Sequence, residues 1–167
     1  MRKAIAVLLF LGAVTLQISA KEKVGVSGFS RDGQPIEFKK IECEDSGEGR
    51  AVCVASLKNL AEEGITALGY RTEALYGGLD HEFIGATTTE TIDFVDRLVP
   101  GEKTRGPIGK NEKYDISFTV EGQGQRAPEW IHFHILFVEL RDGTLAGGIQ
   151  EEFRWIYESL VADRSRR

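Results

Sequence analysis

His132-Phe133-His134 is the spacing in this chain that points most directly to chemistry. Residues two apart in an extended strand project from one face, so both imidazoles can approach a single metal ion. A third ligand would come from His81, or from a carboxylate of Asp80, Glu82 or Glu129. The ions that suit such nitrogen and carboxylate donors are Zn and Cu. The chain holds only 3 histidines, and the same letters also describe two hydrogen-bonded imidazoles on a sheet surface.

No other cluster completes a reaction centre. His81-Glu82-Phe83-Ile84-Gly85 has glycine where a zinc-binding helix needs its second histidine, one turn later. Gly101 and Gly106 have the spacing of a phosphate-binding loop, but Pro107 stands in place of the lysine and removes an amide donor. Gly25-Val26-Ser27-Gly28 lacks the full G-x-S-x-G nucleophile turn. A sugar-binding face would need exposed aromatics, and Trp130, Trp155, Tyr70 and Tyr76 are read as core packing. These gaps point to a non-enzymatic protein that needs no cofactor.

The elements that would position the histidines read as strands. Tyr114 to Glu121 is apolar at every even position, the period of a strand with one face buried. Further strands are expected at Val24 to Phe29, Ile36 to Cys43, Arg50 to Lys58, Ile65 to Leu75, Ala86 to Val95 and Trp130 to Leu140. Within the last of these, Ile131, Phe133, Ile135 and Phe137 should face the core, leaving the histidines with Leu136, Val138 and Leu140 on the other side. Arg31-Asp32-Gly33, the Gly47/Gly49 loop, Glu62-Glu63-Gly64 and Gly77-Gly78 supply turn chemistry between strands. A mostly β fold follows, an antiparallel two-layer sandwich rather than a parallel α/β sheet. Arg141-Asp142-Gly143-Thr144 should turn into a short strand ending at Gly147-Gly148.

An amphipathic helix over about residues 149–163 should then cover the sandwich, since Phe153, Ile156, Tyr157, Leu160 and Val161 recur at helical spacing. Arg164 to Arg167 reads as a solvated tail. Between the strands, residues 96–113 form a long basic loop, and its Lys103 and Arg105 are the expected contact surface of a binding protein.

Residues 1–20 have the order of a cleavable signal peptide: Arg2 and Lys3, an apolar run from Ala4 to Leu16, and Ala20 before the charged Lys21. The apolar run is too short to span a bilayer, so no stable membrane insertion is expected after cleavage, and residues 21–167 should form one domain. The formal net charge is −5, and loss of Arg2 and Lys3 makes the remainder more acidic still. Such a surface repels phosphate backbones, which argues against nucleic acid as a partner. Cys43 and Cys53 flank the Gly-rich stretch Ser46 to Gly49, as two cysteines facing each other across a hairpin would. Export favours their oxidation to a disulfide, which in a loop this short is worth about 2 to 3 kcal/mol.

Leu57-Lys58-Asn59-Leu60 before a β stretch, Val99-Pro100-Gly101-Glu102, and the closing strand with Arg141 to Thr144 and a helix together resemble uncharacterised exported bacterial Ig-like β-sandwich proteins. That resemblance covers about Ile36 to Arg164 and implies fold and compartment, with no functional residue to carry over. The expectation is therefore an exported, non-enzymatic β-sandwich, periplasmic or extracellular. It would act by binding or structural association with an envelope or extracellular protein or a glycan. The alternative is a metal-binding module built on His132 and His134 with His81.

Overall fold

A computed structural model describes residues 23–77, 83–94 and 107–167. Seven strands follow in chain order: β1 (Lys23–Phe29), β2 (Ile36–Asp45), β3 (Arg50–Asn59), β4 (Ile65–Tyr76), β5 (Phe83–Asp93), β6 (Lys113–Glu121) and β7 (Trp130–Leu140). A 3-10 turn at Glu151–Phe153 then leads into α1 (Arg154–Arg166). The chain is thus mostly β with one C-terminal helix, as its alternation dictates. The strands make one mixed sheet in the order β5-β4-β7-β1-β2-β3-β6.

β1 is the shared strand of this sheet. Lys23 and Val24 pair antiparallel with β2, while Gly25 to Phe29 pair parallel with Trp130 to His134 of β7. The two halves that meet at β1 fold toward each other and enclose one core. Tyr70 of β4 and Phe133 of β7 stack at 5.0 Å, and Phe118 of β6 packs 5.1 Å from Phe133 across the interior. The strands thus form one curled mixed sheet with a parallel pair, β1 with β7, at its centre, where only antiparallel neighbours were expected. Alternation reports which side chains are buried, but it carries no information on which strand lies beside which.

The β2–β3 hairpin places Cys43 opposite Cys53, with their Cα atoms 4.1 Å apart and the sulfurs bonded. Both cysteines are buried, so the crosslink is part of the packed interior. No helix among the described residues is long and apolar enough to cross a membrane, a statement that does not bear on β-barrels.

Two features shape the outer face of the β4–β7 pair. The register between these strands shifts at Gly69/Tyr70, opposite Phe137/Ile135. This irregularity turns Leu136 and Phe137 outward together and returns Val138 to the core, so Phe137 and Val138 lie on the opposite faces from those expected. The ring of Phe137 then lies flat on Gly69, where any Cβ would fall 2.3 Å from a ring carbon. Ala67, Leu136 and Phe137 form a small second core beneath Ile156 and Leu160 of α1.

The C-terminal segment also departs from expectation. Thr144 closes its turn on Leu140, but only an isolated bridge, Glu139 with Leu145, stands where a short strand was expected. Positive φ angles at Gly147 and Gly148 swing the chain back over the sheet, and α-helix starts at Arg154 and continues to Arg166. Arg164 is no solvated tail residue. It donates to both carboxylate oxygens of Glu139 at 2.8 Å and to Asp93 at 3.0 and 3.1 Å, clamping the helix end to β5 and β7.

Candidate metal site

Ile131, Phe133 and Ile135 are buried in the main core, so strand alternation sends His132 and His134 to the outer face of β7. β4 runs antiparallel beside them with Glu73 directly opposite His132 and Arg71 opposite His134. Thr72 and Ala74 are buried, which sends Arg71 and Glu73 outward as well. Sheet register alone thus brings two imidazoles, a carboxylate and a guanidinium onto one patch.

Glu73 Oε2 lies 3.3 Å from His134 Nε2 and 3.8 Å from His132 Nδ1. One donor atom from each of Glu73, His132 and His134 falls within 4.8 Å of the others. Two ligands held at 2.0–2.1 Å from a tetrahedral Zn ion are about 3.4 Å apart, so the Glu73–His134 separation fits a shared ion and the rest of the cluster would have to draw in around it. The side chains of His132 and His134 are 28% and 27% exposed and that of Glu73 12%, which leaves the imidazoles open to solvent and the carboxylate sheltered.

Hydrogen bonding does not satisfy this patch. His134 Nε2 is buried and has no hydrogen-bond partner among the described residues, because its approach to Glu73 is close without being aligned. Burial pushes the His134 imidazole below its ordinary pKa, outweighing the opposing pull of Glu73. The ring is therefore neutral near pH 7 and keeps a lone pair for a metal. A cation between this nitrogen and the Glu73 carboxylate would be shared by both.

Apolar and cationic groups frame the cluster. Phe29, from the neighbouring β1, stacks on His134 at 4.8 Å and meets His132 edge-on at 5.0 Å. Arg71 grips the other oxygen of Glu73 at 2.5 Å, and its guanidinium sits 5.0 Å over the ring of Phe153, just before α1. Arg71 Nε is buried and has no acceptor among the described residues.

Of the residues expected to join the histidines, Glu129 ion-pairs with Arg126, while His81, Asp80 and Glu82 lie outside the described residues. So do Lys103 and Arg105, together with residues 1–20. Glu73 is the ligand that sequence reasoning missed. Its signal was there, since Arg71 and Glu73 are the only charges between Ile65 and Tyr76 in a strand otherwise made of apolar, hydroxyl and glycine residues.

The aromatics weighed for sugar binding mostly pack inside. Tyr70 and Tyr76 are buried, and Trp130 lies on Gly25 and donates from Nε1 to Ser27 Oγ at 3.2 Å. Trp155 is 61% exposed beside an open groove of about 410 Å³ between β5 and α1. The groove's carboxylates are engaged elsewhere: Glu90 by the Tyr70 hydroxyl, Asp93 by Arg164 and Asp163 by Arg166. Comparison with protein-family models, with curated proteins and with solved structures found no match.

Proposed function

We propose that this is an exported, non-enzymatic protein whose binding function is to hold a divalent transition-metal ion, Zn or Cu, through Glu73, His132 and His134. The observation that carries this reading is the convergence of three donor atoms within 4.8 Å on adjacent strands, one of them a buried imidazole nitrogen with no hydrogen-bond partner among the described residues. Two nitrogens and one oxygen suit Zn or Cu better than Ca or Mg, which prefer all-oxygen sets. The patch lies on the sheet's outer face, with the imidazoles half-buried.

The buried disulfide supports residence in an oxidising compartment, as the leader-like start of the sequence does. The two facing half-sheets serve here as an Ig-like sandwich would, as a stiff support for residues on one face. Metal binding moves ahead of association through Lys103 and Arg105 because Glu73, His132 and His134 converge within the described residues, and Lys103 and Arg105 lie outside them.

The test is elemental analysis of protein purified without tag or chelator, followed by calorimetric titration with Zn and Cu. One equivalent of metal is expected, lost in a His132→Ala, His134→Ala double variant that keeps its β circular dichroism. Metal-free protein whose titration shows no saturable heat would overturn the proposal.

A further inference from the structure

Glu73 arrives at the patch already neutralised by Arg71. A divalent ion held there would bring two positive charges against a site whose only anion is spent. Among the described residues no second carboxylate joins the cluster. The three protein donors also leave at least one position of a tetrahedral ion unfilled, on a patch whose imidazoles are half-buried at the sheet's outer face. Phe29 and Phe153 wall the patch with apolar rings, which weakens dielectric screening of the excess charge.

From this charge count, and resting on the metal reading above, we infer that the loaded site takes a small monovalent anion as its remaining ligand, a carboxylate group in its biological form. The ion supplies the bond, and Arg71 supplies the second positive charge that favours an anion over water. Arg71 therefore acts in two opposite directions. It opposes the incoming cation and favours the anion that follows it, while Phe153 and Glu73 hold it in place.

Cobalt substitution tests this, because the visible spectrum of Co(II) reports its coordination and responds to a change of ligand. Co(II) is added to the metal-free protein, and the loaded protein is then titrated with acetate and, separately, with azide. The expected result is a saturable spectral shift with each anion. Arg71→Met should bind Co(II) about tenfold more tightly and the anion at least about tenfold more weakly, as loss of one charge at close range requires. Arg71→Lys, which keeps the charge, should retain anion binding within about threefold. Circular dichroism confirms that each variant is folded. Co(II) binding with a spectrum indifferent to both anions would overturn this inference and leave the metal site standing. Loss of anion binding equally in Arg71→Lys and Arg71→Met would also overturn it, since charge would then not be the cause. Failure of Co(II) to bind at all would remove the metal reading and this one with it.

Discussion

Two ionic clusters sit on the same outer face of the sheet, only a few residues apart along β4 and β7, and they differ in one respect. Under the end of α1, Arg164 meets Glu139, Asp93 and the carbonyl of Thr66 with hydrogen bonds of 2.8–3.3 Å. Beyond the start of the helix, Glu73, His132, His134 and Arg71 are as close together, yet His134 Nε2 and Arg71 Nε are buried without a hydrogen-bond partner among the described residues. A buried polar group left unpaired costs about 1 to 3 kcal/mol, so the first cluster is finished by folding and the second is not. Completed networks hold the structure together. Incomplete ones are where a ligand has something to add.

The largest effect should come from breaking the finished cluster. Arg164→Met leaves Glu139 and Asp93 facing each other beneath the helix and should lower unfolding stability by about 3 kcal/mol in urea titrations. Adding Asp93→Asn and Glu139→Gln to that variant should restore most of the loss, since the penalty belongs to the stranded charges. Next in size is the effect of metal on the other cluster. Free Zn at a hundredfold excess over its dissociation constant should stabilise the protein by about 2.7 kcal/mol, and His132→Ala should abolish that gain. A smaller effect is expected of Glu73→Gln in metal-free protein, within about 1 kcal/mol of the parent, because the amide oxygen can still accept from Arg71 and no pair of like charges is left facing. A large loss there would erase the contrast between the two clusters.

The smallest effect is one of pH. Burial holds His134 below the ordinary imidazole value of about 6.5, against the upward pull of Glu73 and with Arg71 and His132 also lowering it. The unfolded chain therefore binds a proton there more readily than the folded one. The stability this ring contributes is present above pH of about 6.5 and is lost as pH falls through its folded value. Metal-free protein in chelator should lose stability over that window, and His134→Gln should flatten the slope in paired urea titrations at successive pH values.

Much of this was readable from residue order. The β2–β3 hairpin with its cysteine pair follows from two alternating runs around a glycine-rich turn, and the shared face of His132 and His134 follows from the period of a strand. What could not be read was adjacency. Glu73 is 59 residues from His132, and only the antiparallel register of β4 on β7 sets them side by side. The same holds for Arg164, whose partners lie on three strands far from it in sequence. The face reversal of Phe137 and Val138 comes from a register shift, which alternation by itself does not disclose.

Two strands far apart in sequence are neighbours in the middle of this sheet, since Gly25 to Phe29 lie parallel to Trp130 to His134. As the polypeptide folds, the β2–β3 hairpin can assemble locally, but β1 keeps one edge bare until β7 has docked beside it. Such an edge is open to the wrong partner, so crowding of unfolded chains is the hazard built into this topology. Purified chain ending at residue 121 should be cut readily within β1 by protease, and chain carried through residue 167 should resist.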